Sequence, residues 1–202
     1  MLYILRMKLT PSKIKNTVFT VTDVSRVLEI TPASARVLCS RYVSSGQLIR
    51  LRKGLYVFRE RWQFLSLMER FKVANRLQPA SYISLGSALA WYEQSSQIYQ
   101  QVVESVAKKR TITYKVEDWE FTWHRLADEY YNGYYRRDGI FIANPEKALA
   151  DVIYLQSLGR YAFDFSALTW EAVNYTELDR YLEQFPQKTR LWWDRYGSNA
   201  RS

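Results

Sequence analysis

Between residues 20 and 28, apolar positions recur at helical spacing. Val21, Val24, Val27 and Leu28 fall on one face of a predicted helix that Thr20 or Thr22 can cap. Glu29-Ile30-Thr31 reads as a short turn, and Thr31 followed by Pro32 marks a second helix start. A threonine hydroxyl accepts a free first-turn N–H, and proline gives up nothing there because its nitrogen would have no partner anyway. Over residues 31–45, Ala35, Leu38, Cys39, Tyr42 and Val43 recur at i, i+3, i+4, i+7 and i+8, which predicts one buried stripe. Ser34, Arg36, Val37, Ser40, Arg41 and Ser44 take the other side, and Ser45-Gly46 ends the helix. The period then changes to two. Ile49, Leu51, Leu55 and Val57 face one way, Arg50 and Arg52 the other, with a tight turn at Lys53-Gly54. Upstream, residues 13–16 are predicted to be a short helix with Thr10 or Ser12 as cap, followed by the apolar pair Val18-Phe19.

A continuous helix is expected over residues 60–77, ended by Gln78-Pro79. Beyond it, Tyr82-Ile83 is extended, Ser84 caps a helix through Tyr92, and strands are expected over 102–106, 110–116, 119–123 and 139–142. Asn132-Gly133 suits the positive φ angles of a tight hairpin turn between residues 130 and 135. Asn144 caps a helix opened by Pro145, with Ala148, Leu149, Val152, Ile153 and Leu155 apolar. Two further helices are expected over 170–185 and 188–196. The pattern implies an α+β fold in three parts: an amino-terminal module over 1–60, a connector helix over 61–78, and a larger mixed α/β domain over 79–202.

Composition sharpens this. At 48% hydrophobic and 24% charged residues the chain has ordinary globular usage, so a folded core is expected. No apolar run approaches the ~18 residues of a membrane span, and Met1 to Arg6 lack the order of a secretion signal. The single cysteine, Cys39, fits a reducing compartment, so a cytoplasmic protein is expected. Cys39 lies on the apolar stripe and reads as core. With one histidine, His124, and one cysteine, a His/Cys zinc site is excluded within one chain, and neither a metal nor a cofactor is implied.

The net charge of +9 is unevenly spread. Residues 1–60 hold eleven Lys/Arg against three Asp/Glu, a net of +8, and the remaining 142 residues are almost neutral. A basic module on a neutral body suits a polyanion partner. In order, the module offers a helix pair, a second helix with small and basic residues outward, and a hairpin tipped with three cations. This is the pattern of a winged helix-turn-helix that binds double-stranded DNA. Thr31, Ser34, Arg36, Val37, Ser40 and Arg41 are the candidates on the reading helix. Arg50, Arg52 and Lys53 are the candidates for gripping phosphate from the wing.

Catalytic signatures are missing. There is no glycine-rich phosphate loop and no nucleophile elbow. The acidic pairs Glu117-Asp118 and Asp128-Glu129 read as solvated turns, so no catalytic residue is assigned and no enzyme is expected. Lys108-Lys109-Arg110 reads either as a solvated loop or as a second contact to nucleic acid. The abundant Tyr and Trp read mainly as core, with anchoring of a protein partner as the alternative.

Three segments carry a family resemblance over roughly residues 17–160. They are the helix pair leading to Leu51-Arg-Lys-Gly-Leu-Tyr56, then Ala80-Ser-Tyr-Ile-Ser-Leu-Gly-Ser-Ala-Leu89, then Ala143-Asn-Pro-Glu-Lys-Ala-Leu-Ala-Asp151. Together they resemble the AbiEi antitoxins of bacterial abortive-infection systems, a phage defence, which are grouped with predicted transcriptional regulators. The resemblance implies a DNA-binding protein that represses its own operon at inverted repeats, as a monomer or a dimer paired on DNA. It also implies a carboxy-terminal domain that neutralises a nucleotidyltransferase-like toxin. The alternative is a winged-helix regulator whose body binds a ligand or another protein, without a toxin.

Overall fold

The computed structural model describes residues 8–96 and 100–197. Arg6, counted in the basic total, lies outside the described residues. The chain divides into two compact units, residues 1–77 and 78–202.

In the first unit, Phe19–Thr20 forms β1, Val21–Leu28 forms α1, and Pro32–Ser44 forms α2. Leu48–Arg52 (β2) and Leu55–Phe58 (β3) make a hairpin, and the three strands pair antiparallel in the order β1-β3-β2. Thr20 caps α1 reciprocally: its hydroxyl accepts from Asp23 N, and the Asp23 carboxylate accepts from Thr20 N at 2.8 Å. Glu29 ends α1 in the left-handed region (φ 53°), and Ser25 Oγ donates to Ile30 O at 2.6 Å across the turn. Thr31 caps α2 as expected. The core joins both helices to the sheet through Val24, Leu28, Ala35, Leu38 and Cys39 against Phe19, Leu48, Tyr56 and Phe58. Phe19 is fully buried with its ring centroid 5.0 Å from that of Phe58.

Three expectations fail here. Residues 13–16 are not helical. Only Pro11–Lys13 makes a 3-10 turn, because Ile14 is buried in the core with extended dihedrals. Thr10 Oγ1 bonds Ser12 Oγ instead of capping a helix. Val27 is 40% exposed, while Val24 and Leu28 fill the inward face of the short α1. The predicted continuous helix over 60–77 is broken into Arg59–Trp62 (α3) and Leu67–Leu77 (α4). The break has a local cause: Ser66 N donates to Glu69 Oε2 at 2.9 Å and Glu69 N to Ser66 Oγ at 3.3 Å, so a new helix start is capped at Ser66.

The second unit is built on a six-stranded mixed sheet. Its strands are Ser81–Ile83 (β4), Val102–Ala107 (β5), Ile112–Val116 (β6), Trp119–Arg125 (β7), Tyr134–Arg137 (β8) and Ile140–Ala143 (β9), in the order β6-β7-β5-β4-β9-β8. The helices are Leu85–Trp91 (α5), Pro145–Ser157 (α6), Tyr175–Leu182 (α7) and Gln187–Tyr196 (α8). Residues 170–185 are therefore not one helix: Trp170–Ala172 is a 3-10 turn, and Asn174 caps α7 by accepting from Glu177 N at 3.2 Å. Nor does the hairpin turn fall at Asn132-Gly133. It falls at Asp138-Gly139, both with positive φ (50° and 84°), which joins β8 to β9. Gly133 meets a different demand, since a Cβ there would lie 2.7 Å from the Tyr181 ring and 2.8 Å from the Lys147 stem.

One buried polar cluster ties this unit together. Lys147 and Asp151, one turn apart on α6, are 1% and 0% exposed and form an ion pair. Tyr82 OH (2.9 Å) and Ser84 Oγ (2.8 Å) both donate to Asp151 Oδ2. Ser84 sits at the start of α5, but its hydroxyl serves Asp151 and not the helix N–H groups, which corrects its expected capping role. Burial pushes Asp151 up and Lys147 down in pKa; their mutual attraction opposes both shifts, and the two hydroxyl donors oppose the shift of Asp151. A second buried carboxylate, Glu104 on β5, accepts from Tyr161 OH at 2.9 Å, and burial raises its pKa to about 7. His124 lies within β7, not after a strand; its ring meets Tyr161 edge-on at 5.4 Å, and burial lowers its pKa.

Breaking the α6 pair from one side leaves an uncompensated charge inside. Asp151→Ala is expected to lower the unfolding free energy by about 3–5 kcal/mol in urea denaturation, and adding Lys147→Met to recover part of the loss. Glu104 has a folded pKa above its ordinary value, so its stabilising contribution is present at low pH and lost as pH rises towards about 7. Glu104→Gln removes that loss. Its stability relative to wild type is expected to rise between about pH 5 and about pH 8, read as the difference between two denaturation series.

Candidate nucleic-acid interface

The burial of Ala35, Leu38 and Cys39 decides what α2 shows to solvent. Arg36, Val37, Ser40 and Arg41 are exposed, Ser34 is half-buried, and Thr31 is exposed at the helix start. Thr31 Oγ1 accepts from Ser34 N at 3.2 Å and donates to Ser34 Oγ at 3.0 Å, so both hydroxyls are engaged at the cap. On the hairpin, Arg50 and Arg52 alternate outward from a buried Leu51, and Lys53 occupies the two-residue turn with Gly54. β3 departs from the expected alternation, since all four of its residues are buried: Tyr56 and Phe58 enter the core with both helices, and Leu55 and Val57 on its other face are covered as well.

The fold brings part of this set together. A groove of about 540 Å³ runs between α2, the start of α1 and the hairpin, lined by Arg36, Ser40, Ser44, Arg50 and Lys53 together with Thr20, Thr22 and Tyr56. Val37, Arg41, Thr31, Ser34 and Arg52 do not line it. Thr20, Thr22 and Tyr56 were missed by sequence reasoning, because they come from β1, α1 and β3 and only packing carries them to α2. The groove is electropositive. Burial raises the Tyr56 phenol above its ordinary pKa, while the charges of Arg50 and Arg36 pull it back. Among the described residues, Arg36, Arg41, Arg50, Arg52 and Lys53 enter no ion pair. Five cations without acidic partners on one small unit form a standing field for anions.

The family comparison bears on this segment. Residues 15–59 match the family model described as "Transcriptional regulator, AbiEi antitoxin". The match spans α1, α2 and the hairpin, so the resemblance read from the sequence holds there. The segments Ala80–Leu89 and Ala143–Asp151 lie outside it. The chain shares a fold with the RV2827C protein from Mycobacterium tuberculosis, known from a crystal structure, at 13% identity and a TM-score of 0.56. That alignment covers 91% of this chain and 73% of the other. No curated protein matches the sequence.

The matched segment holds the chain's one cysteine, Cys39. Its thiol is buried and pushed up to about 11, which suits a core residue and not a nucleophile. In the second unit, Lys108 pairs with Asp128 at 3.7 Å, leaving Lys109 and Arg110 exposed in the loop between β5 and β6. Glu117-Asp118 forms the turn from β6 to β7, and Asp128-Glu129 opens a 3-10 turn. Among the described residues no group of three or more His, Cys, Asp and Glu side chains could hold a metal ion, and no helix is long and apolar enough to cross a membrane.

Thr31 satisfies an otherwise free N–H at the start of α2. Thr31→Ala is expected to lower the unfolding free energy by about 1 kcal/mol, measured in urea, whatever the residue also does towards a ligand.

Proposed function

We propose that the first unit is a winged helix-turn-helix that binds double-stranded DNA, with α2 in the major groove and the β2–β3 hairpin as the wing. The observation that carries this reading is the groove in which Arg36 and Ser40 of α2 face Arg50 and Lys53 of the hairpin. Helix and hairpin are thus spaced to embrace one stretch of backbone, and their cations have no acidic partners. Arg36, Val37, Ser40 and Arg41 meet base edges, with Thr31 and Ser34 at the helix start beside the strand. Arg50, Arg52 and Lys53 contact phosphate. The AbiEi-type match over residues 15–59 supports the same assignment.

The larger proposal is a DNA-binding antitoxin of a phage-defence system. In it, the first unit represses its own operon at inverted repeats, and the second neutralises a nucleotidyltransferase-like toxin encoded next to it. The division of charge supports two separate tasks: a strongly basic module on an almost neutral body has one polyanion partner and one partner of another kind.

Two experiments test this. The full chain is titrated onto a duplex from its own upstream region at several salt concentrations. Each phosphate contact contributes roughly 0.9 to the slope of log affinity against log salt, so the triple change of Arg50, Arg52 and Lys53 to Ala is expected to flatten that slope by about three. An unchanged slope removes the wing assignment, and a footprint retained by Arg36→Ala with Arg41→Ala removes the reading helix. Co-expression with the adjacent reading frame is expected to rescue growth; a neighbour that is harmless alone favours a regulator without a toxin.

A further inference from the structure

The outward stripe of α2 is Ala33, Arg36, Val37, Ser40, Arg41 and Ser44, opposite the buried Ala35, Leu38 and Cys39. Every member but Ala33 and Val37 is polar or charged. Arg36, Ser40 and Ser44 form the edge that lines the groove with the hairpin, whereas Val37 stands outside that lining, between Arg36 and Arg41 on the exposed side of the helix. Val37 is 50% exposed. Folding supplies no reason for valine there: a β-branched side chain is a poorer helix former than alanine, and an exposed one recovers little of that cost by burial.

Between two arginines that would draw a polyanion, an apolar side chain finds one apolar feature in the major groove, the thymine 5-methyl. Pressed against the groove edge of G, C or A it would cover a donor or acceptor without replacing its hydrogen bond, which is unfavourable. We infer that Val37 reads a thymine through its 5-methyl group and so sets the sequence preference of α2 beside the base-edge contacts of Arg36 and Arg41, while the hairpin cations hold the backbone. This inference rests on the DNA-binding reading above.

The test uses the full chain and a synthetic duplex library with a random core. The duplex that enriches is then remade with each thymine replaced singly by deoxyuridine, which removes the methyl and keeps every hydrogen-bonding group. At one thymine, or at a symmetry-related pair, the replacement is expected to weaken binding about fourfold, the loss from exposing one methyl-sized apolar group. Val37→Ala is expected to bind the thymine and deoxyuridine duplexes equally, with thermal unfolding unchanged, since alanine is the better helix former. Insensitivity of the wild type at every thymine overturns the inference, as does discrimination that survives Val37→Ala. Salt-sensitive duplex binding without any enriched sequence also overturns it, yet leaves DNA binding intact. Absence of duplex binding at every salt concentration removes both. The deoxyuridine series on wild type decides the matter even if the variant does not fold.

Discussion

Ala35, Leu38 and Cys39 lie under Phe19, Leu48 and Phe58, and that single packed stripe orders the first unit. Because the core of this unit covers only one face of α2, sealing the stripe leaves Arg36, Val37, Ser40 and Arg41 to solvent. The same core holds the sheet, and the sheet holds the hairpin. The distance between the outward face of α2 and Lys53 is therefore not a property of either element alone. It follows from Tyr56 and Phe58 on the central strand, whose buried side chains join hairpin to helices.

The second unit depends on a different kind of interaction. Asp151 is fully buried and accepts from Lys147 on its own helix and from Tyr82 and Ser84 on β4 and at the start of α5. A buried charge is tolerated only when its lone pairs are filled, so the positions of these elements are tied to one carboxylate. Asn144 extends the tie, accepting from Lys147 N at 2.7 Å and donating to Tyr181 OH on α7 at 2.8 Å. The two family-like segments of this unit, Ala80–Leu89 and Ala143–Asp151, meet at this cluster, which gives them a folding role independent of any active site.

The two units thus use charge in opposite ways. The first leaves Arg36, Arg41, Arg50, Arg52 and Lys53 exposed and outside any ion pair among the described residues, where they stay sensitive to salt. The second buries its key ion pair, where solvent screening is weak. A strongly basic module is thus joined to a body with almost no net charge.

Local signals in the sequence were enough for α2. Thr31-Pro32 at its start, the i, i+3, i+4 stripe along it and Gly46 beyond it are all short-range features, and each acts within a turn or two. The same holds for the Lys53-Gly54 turn and for Asn144-Pro145 at the start of α6. The Ser66 to Glu69 capping pair was just as local, and the apolar run around it hid the signal. Other features depend on residues far apart in the chain. The extended path at Ile14 is decided by the core it enters. The turn at Asp138-Gly139 is set by the pairing of β8 with β9, while the glycine at 133 answers to the close approach of Tyr181 and Lys147. The chemistry and outward direction of the exposed residues on α2 were thus determined by sequence periodicity alone. Which of them share a groove with Arg50, Lys53 and Tyr56 was decided only by tertiary packing, because the hairpin is set beside α2 where Tyr56 and Phe58 meet Phe19 and helix residues distant in the chain within one core.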